Sequence, residues 1–422
     1  MGKKIEINKS VLLAAKKRIS SIFDEFEKIY ISFSGGKDSS VMTHLVLEEA
    51  IKRNKKVGLL IIDLEAQYSH TVKHIEEMCE KYKDNIDLHW FCGELLLRNA
   101  VSDFEPKWIC WDEDNKDLWV RKKPKLASNL SQYDFYIPKM EFEEMMVLFG
   151  EWYSGGDSCA AFIGIRSDES LHRFRAITSE KKGRTFKGLK WTTKLNKCLF
   201  NVYPIYDWKT KDIWVYHFKN PKLEYNKVYD LMTRAGLKFG DQRLCQPFGD
   251  DQKKGLWLYH LLEPLTWYKL LNRVSGVNSG SLYIKERGNM NGSGDVYKPK
   301  EHTWESYTNF LLKSLPKKTQ DNYKERFIKF ISGWKRRGYD IIPDKAPHDL
   351  EIKCWAPSWK RMARSILRND YYCKSLGQTQ PKSEAYEKFK QIKHKRKLAL
   401  ELEDAENLIV NAVTGEQKGV RK

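Results

Sequence analysis

The sequence predicts a doubly wound, mostly parallel α/β sheet with an appended, mainly helical and basic C-terminal region. Three observations carry that prediction. Strand-like and helix-like stretches alternate from Ser10 to Cys92. A glycine-rich loop, Ser34-Gly35-Gly36-Lys37-Asp38-Ser39-Ser40, falls between an apolar run and a helix-like one. Beyond about Gly255 the texture changes to Lys- and Trp-rich helical stretches.

Ser10 to Glu27 has the spacing of an amphipathic helix, and Ile29 to Phe33 is an apolar, β-prone run. Asp38 to Arg53 follows as a helix whose apolar positions include Val41, Leu45, Val46 and Ala50. Val57 to Ile62 is continuously apolar, as a parallel strand buried on both faces should be. Thr71 to Lys83 gives a further helix and Ile86 to Cys92 a third strand. The β-α-β-α-β order argues for an open sheet with right-handed crossovers. Ligands on such sheets lie beyond the carboxyl ends of the strands, where both the glycine-rich loop and Asp63 fall.

An aromatic, charged stretch at about 104–136 reads as an inserted substrate loop or a packed lid. Glu141 to Trp152 is helical, and Ala160 to Ile165 and Leu199 to Ile205 are strands. Ser275 to Pro299 is rich in Gly, Ser and Asn. Helices are expected at Trp304 to Leu315, Asn322 to Arg337 and Ser358 to Asn369. Tyr386 to Glu403 is a basic helix carrying Lys388, Lys390, Lys393, Lys395, Arg396 and Lys397, either a solvated face or a nucleic-acid arm. The expected organisation is a nucleotide-binding domain at 1–255, a linker or mobile loop at 256–300, and a helical domain at 301–422.

A strand–loop–helix turn of this kind favours anions, because unpaired N–H groups and the positive end of the helix dipole converge there. Gly35 and Gly36 allow the backbone close to a phosphate. Lys37 adds a positive charge, and Ser32, Ser34, Ser39 and Ser40 add hydroxyls. The spacing is neither that of the Walker A loop nor Gly-x-Gly-x-x-Gly.

The formal net charge is +19, which exceeds the needs of a nucleotide loop and favours a polyanion such as nucleic acid. The 14 Trp and 21 Tyr add stacking surfaces, though most aromatics are core. The 8 cysteines include no C-x-x-C pair, so reduced thiols in the cytoplasm are expected, with no zinc or iron–sulfur site. No apolar run is long enough to span a membrane, mean hydropathy is −0.63, and no signal peptide is read at the N-terminus.

Ser34-Gly35-Gly36-Lys37-Asp38-Ser39 resembles the PP-loop signature of the adenine-nucleotide α-hydrolase-like superfamily. Three later segments extend the resemblance to the phosphoadenosine-phosphosulfate (PAPS) reductase family over about residues 25–255. These are Asp63 after the second strand; Gly164-Ile165-Arg166 with Glu169 and Arg173; and Tyr203-Pro204-Ile205-Tyr206-Asp207-Trp208 with Asp212 and Trp214.

The resemblance implies a substrate that is ATP or PAPS, Mg²⁺, and chemistry at the α-phosphate, with Lys37 and Asp38 in the reacting centre. It implies that Asp63 lies near the nucleotide, with helix capping as its alternative. Arg166 and Arg173 would pair with phosphate or sulfate oxygens, or form a surface ion pair with Glu169. His172 and His217 are read as packed or solvated.

The Glu-Cys-Gly motif of true PAPS reductases is missing. In its place stands Asp241-Gln242-Arg243-Leu244-Cys245-Gln246-Pro247-Phe248-Gly249-Asp250-Asp251-Gln252, followed by Glu263-Pro264. This resembles a subfamily with its own C-terminal domain, the immunoglobulin-binding-regulator A-type proteins, whose members often sit beside a ParB-like nuclease-domain partner. Cys245 is a candidate nucleophile with the Arg243 cation nearby, or a small buried residue. Arg243, Gln246 and Gln252 are candidate substrate contacts. Asp250 and Asp251, with Asp38, are candidate Mg²⁺ ligands, or part of a surface turn.

Three functions follow as expectations. The first is adenylylation of an acceptor, in nucleic-acid modification or sulfur transfer. The second is PAPS reduction through Cys245. The third is a nucleotide-sensing or DNA-binding subunit working with a ParB-like partner.

Overall fold

A computed structural model describes residues 8–170, 173, 174, 177, 185–250, 255–277 and 296–414, with side chains except at 352 and 403–414. The core is a 6-stranded sheet of order β3-β2-β1-β7-β9-β8. Its strands are β1 (Lys28–Ser32), β2 (Val57–Ile62), β3 (Ile86–Phe91), β7 (Cys159–Ile163), β8 (Thr192–Lys194) and β9 (Leu199–Val202). All neighbours are parallel except the edge strand β8, which runs antiparallel to β9. A 3-stranded sheet is built from β4 (Leu95–Arg98), β5 (Lys107–Cys110) and β6 (Met140–Glu141). The predicted fold class is the observed one.

The apolar runs explain the layering. The register sets Tyr30 beside Ala161 and Ile31 beside Phe162, so these two pairs point to opposite faces of the sheet. Helix α1 (Val11–Glu25) covers the Ile31 face, where Phe23 stacks on Phe162 with ring centroids 6.4 Å apart. Helix α4 (Phe142–Ser154) covers the other, where Phe149 and Tyr153 meet Tyr30 edge-on. Helices α2 (Lys37–Lys52) and α3 (Ser69–Lys81) follow β1 and β2. The aromatic stretch at 104–136 is packed: Trp111, Tyr133 and Phe135 belong to the main core.

Helices α5 (Thr210–Lys219) and α6 (Val228–Arg234) complete this unit. The 256–300 segment differs from the expected linker. Leu256–Leu262 and Pro264–Arg273 form helices α7 and α8, with Pro264 in the first turn where its missing N–H costs nothing. Their apolar residues Leu256, Leu258, Trp267 and Leu270 are buried in the main core, which is why they do not behave as a spacer. Most of the Gly/Ser/Asn-rich stretch, 278–295, lies outside the described residues.

The C-terminal helices are α9 (Trp304–Ser314), α10 (Lys317–Lys335), α11 (His348–Ile352), α12 (Trp359–Leu367) and α13 (Glu384–Thr414). Ala385, Tyr386 and Phe389 of α13 pack on the main core, while helices α9, α10 and α12 hold a separate small core that includes Tyr323, Phe327, Phe330, Met362 and Ile366. Polar bonds join it to the sheet unit: Arg98 donates to the Asn369 backbone, and Asn369 Nδ2 donates to Ser102 O at 3.1 Å. Among the described residues no helix is long and apolar enough to cross a membrane.

Candidate functional site

The strand order reverses at β1: β2 and β3 lie to one side, β7 and β9 to the other. In an open parallel sheet the crevice at such a switch point, beyond the carboxyl ends, is where ligands bind. Both segments that leave this point were singled out in the sequence. From β1 comes the loop Ser34–Gly36, entering α2 with Gly36 as its N-cap. From β7 comes Gly164-Ile165-Arg166.

The loop is built from its glycines and serines. Gly35 has φ +70°, in the left-handed region, and a Cβ there would meet Ile75 and Thr71 of α3 at 2.9 Å. Ser39 and Ser40 return their hydroxyls to the Gly36 carbonyl at 2.9 and 3.0 Å. Ser34 and Ser39 share a hydroxyl–hydroxyl bond of 3.0 Å, and only Ser34 of this group is exposed. Ser32, the last residue of β1, is half-buried.

Gly164 lets the two segments meet. A Cβ there would lie 2.8 Å from Ser39 Cα and 3.0 Å from Ser39 N, both backbone atoms.

Lys37 is buried. Its Nζ donates to Gln242 O at 2.9 Å, lies 3.4 Å from Asp38 Oδ2, and stands 5.1 Å over the ring of Tyr229. Its backbone N–H donates to the Tyr229 hydroxyl at 3.1 Å. Burial pushes the Tyr229 phenol up, so it stays neutral. Asn226 Nδ2 donates to Gly35 O and to Thr71 Oγ1, both at 2.9 Å. Thus α6 and the segment behind it clamp the loop.

Asp38 joins two cations, since Arg166 Nε donates to Asp38 Oδ1 at 2.6 Å. Arg166 departs from the expected phosphate fork. Its side chain is 2 % exposed, and Nη1 and Nη2 reach Trp208 O and Thr210 Oγ1 at 3.4 and 3.3 Å. It positions Asp38, and so the start of α2, instead of presenting an open guanidinium. Arg173 pairs with Glu169, whose Oε2 also accepts the Arg166 backbone N–H at 3.2 Å. His172 lies outside the described residues.

Asp63 is fully buried and in the interior of a network. Its carboxylate accepts from Arg121, from Trp90 Nε1 at 3.1 Å and from the Glu65 backbone N–H at 3.0 Å. Both oxygens are occupied, so it braces the strand end behind the loop instead of offering a free carboxylate. Beside it, Glu65 (φ +63°) accepts from Trp111 N at 2.6 Å, Val120 N at 3.0 Å and Arg273 at 3.2 Å.

The 241–250 segment connects the loop to a second feature. The Gln242 side chain is buried and donates to Thr233 Oγ1 at 2.8 Å, while its backbone carbonyl accepts from Lys37. Arg243 donates to Glu169 O at 2.6 Å. Phe248 (φ +60°) is buried edge-on against Trp108, with centroids 5.4 Å apart. Beside these anchors, Cys245, Gln246, Gly249 and Asp250 line a cavity of about 180 Å³ with Arg98 and Lys374. Cys245 is half-buried.

Asp251 and Gln252 lie outside the described residues. Asp250 stands 4.0 Å from Arg98, and Asp38 is held between Lys37 and Arg166. Among the described residues no group of three or more His, Cys, Asp or Glu could hold a metal ion. A metal arriving with a nucleotide would depend on the phosphates for most of its ligands.

Three buried histidines, one on α2 itself, lie in this region. His74 Nε2 bonds Ser40 Oγ at 2.8 Å, and His44 Nδ1 bonds the Tyr82 hydroxyl at 2.8 Å. Burial lowers His74 to about 3, and His44 and His217 to about 4, so all three are neutral at pH 7, as packed residues should be.

The residues that sequence reasoning missed are Asn226, Tyr229, the Gln242 carbonyl and Glu65. None carries a local signal.

Residues 28–236 match the phosphoadenosine phosphosulfate reductase domain, and residues 236–350 match a domain of unknown function, DUF3440. The uncharacterized protein YbdN of Escherichia coli (strain K12) is 38% identical over 397 residues, covering 93% of this chain and 97% of that protein. A phosphoadenosine 5'-phosphosulfate reductase of Alteromonas mediterranea is 22% identical over 216 residues, covering 51% of this chain and 68% of the relative. Among solved structures, the PAPS reductase of Candida auris in a phosphate complex overlaps 55% of this chain and 94% of its own, at 15% identity and TM-score 0.32. The chain belongs to the family of YbdN, in which a PAPS reductase domain of the PP-loop superfamily is followed by a DUF3440 region.

Proposed function

We propose that this chain binds an adenine nucleotide at Ser34–Ser40 and acts at its α-phosphate, transferring the adenylyl group of ATP to an acceptor. The observation that carries the reading is the junction at the switch point, where Gly164 brings β7 against the start of α2 beside the buried Lys37. The acceptor's nucleophile would attack the α-phosphorus as the bond to the bridging oxygen breaks, and pyrophosphate would leave with that electron pair. Lys37 and the backbone N–H groups of the loop would hold the leaving phosphates, so that positioning and charge supply most of the rate. Asp38 and Arg166 would keep Lys37 in place. Lys37 would exchange the Gln242 carbonyl for phosphate oxygen, which would couple nucleotide binding to the 241–250 segment.

A second reading is favoured by one observation: Cys245 lines the cavity that begins three residues after Gln242. With PAPS as substrate, the Cys245 thiolate would attack sulfur and release adenosine 3',5'-bisphosphate. A thiol reductant would then free sulfite from the thiosulfonate.

Calorimetric titration with ATP and with PAPS, in Mg²⁺, separates the readings, with Lys37→Ala as the control. Preference for ATP, lost in Lys37→Ala by roughly 10-fold or more, supports adenylylation. Preference for PAPS, with thiol-dependent sulfite release abolished by Cys245→Ser, supports reduction. Binding without turnover favours the regulatory role beside a ParB-like partner. Binding of neither nucleotide by folded protein overturns both enzyme readings.

A further inference from the structure

The C-terminal helices carry a feature that the nucleotide site does not use. A groove of about 470 Å³ runs between α10 and the 376–381 segment, lined by residues that include Arg326, Lys329, Phe330, Gly333, Trp334 and Arg337. Its lining residues include three cations and no carboxylate. From this groove we infer a binding site for single-stranded nucleic acid, which goes beyond the nucleotide reading and stands without it.

The geometry comes from one helix face. Arg326, Phe330, Gly333 and Arg337 follow the 4, 3, 4 spacing that places residues in one row along α10 and its end. Eleven residues of helical rise make a strip of roughly 16 Å. Neither end of the strip is tied up in an ion pair among the described residues. Arg326 is fixed by neutral oxygens, those of Tyr372 at 2.9 Å, Gln378 at 3.2 Å and Asn322 at 3.1 Å. Arg337 lies over the Trp334 ring, 4.8 Å from its centroid. Among the described residues no carboxylate pairs with either arginine. Lys329 pairs with Glu325, whose carboxylate also feels the Arg326 charge, and both residues of that pair are exposed.

Aromatic surface lies between these charges. Trp334 is half-buried, supported edge-on by Tyr339 at 5.2 Å and by Phe330 at 6.3 Å. A flat guanidinium on an indole is a platform on which an unpaired base can stack while neighbouring cations take the phosphates. A duplex cannot use it, because its bases are already stacked.

Gly333 adds an independent observation. Glycine in a helix interior is unfavourable, yet a Cβ at Gly333 would meet nothing within 4 Å, so packing does not require it. Its effect is to leave the groove floor open between Phe330 and Arg337.

The test uses the full chain and fluorescence anisotropy with a labelled homopyrimidine DNA strand of about 15 nucleotides at low salt. The same strand in a duplex, and free ATP as competitor, complete the comparison. Wild type is expected to bind the single strand in preference to the duplex. Gly333→Leu, which fills the floor, and the double variant Lys329→Glu/Arg337→Glu should each weaken binding by about 10-fold or more. The double variant should also flatten the salt dependence by about 0.7 per lost phosphate contact. Unchanged thermal midpoints show that the variants fold, and the exposed positions 329 and 337 serve if Gly333→Leu does not. Lys37→Ala should bind the strand as wild type does, which separates this site from the nucleotide loop. Wild-type affinity in the groove variants overturns the inference, with Lys393→Glu/Lys397→Glu on α13 then locating the contact. So do absence of strand binding, equal binding of duplex, and full displacement by ATP alone.

Discussion

Gly164→Ala tests the junction on which the site depends. The substitution adds one methyl group, and at most positions with ordinary backbone angles it stabilises by about 0.4–1 kcal/mol, because the unfolded chain loses freedom. Here the new Cβ would stand 2.8 Å from Ser39 Cα, 3.0 Å from Ser39 N and 3.3 Å from the Asp38 carbonyl carbon. Favourable carbon–carbon separations are about 3.5–4.0 Å, so the overlap approaches 1 Å.

The clashing atoms are backbone at the start of α2. They cannot rotate away as a side-chain tip can, so β7 and α2 must separate. Overpacking of this kind costs about 1–3 kcal/mol, leaving a net loss of about 1–2 kcal/mol after the unfolded-state gain. At about 2–4 °C per kcal/mol for a unit of this size, the thermal midpoint should fall by several degrees. Gly333→Ala is the control: nothing stands within 4 Å of its Cβ, so the same chemical change in a helix should stabilise, by about 0.5–1 kcal/mol. A scanning melt of both variants reads the two signs. A Gly164→Ala midpoint equal to or above wild type would refute the reasoning, since it would mean that the strand and helix ends do not touch.

Two further outcomes follow from the buried charges and histidines. Glu65→Gln removes a fully buried carboxylate from Arg273, whose side chain is 6% exposed, and should cost about 3–5 kcal/mol in urea unfolding because the guanidinium is left unpaired; a loss below about 1 kcal/mol would show that water reaches Arg273. His44 and His217, lowered to about 4, and His74, lowered to about 3, bind fewer protons folded than unfolded below the ordinary histidine value of about 6.5. Their contribution is therefore complete above about pH 6.5 and is lost as pH falls towards 4, by up to about 1.4 kcal/mol per pH unit for each histidine. Urea midpoints that do not fall between about pH 7 and about pH 5 would show that these histidines are solvated.

Much of the fold was legible because its causes are local. The continuous apolar run Val57–Ile62 could only be a strand covered on both faces, and its observed bounds agree. Gly35 and Gly36 marked a turn, and α2 begins at Lys37. By contrast, the 256–300 segment reads as a linker in the sequence, because the helices within Leu256–Arg273 are short and their apolar residues make sense only against the distant main core. Arg166 and Asp63 were read as ligands for an anion and a nucleotide. Their chemistry suits that, and the fold pairs them with Asp38 and Arg121, which no local pattern announces.

The sequence by itself determined the parallel α/β sheet, the position of the glycine-rich loop at the end of its first strand, and the basic helical region after it. Each follows from residues adjacent in the chain, through periodicity, turn chemistry and charge. Tertiary structure alone decided what holds the loop. Asn226, Tyr229 and Gln242 reach Gly35 and Lys37 across 191, 192 and 205 residues, and no local pattern encodes such a meeting. It also decided that Cys245 and Asp250 share a cavity with Arg98 and Lys374. The physical reason is that side-chain partnership in a core is set by which elements the sheet and its covering helices bring together, and only the folded backbone fixes that.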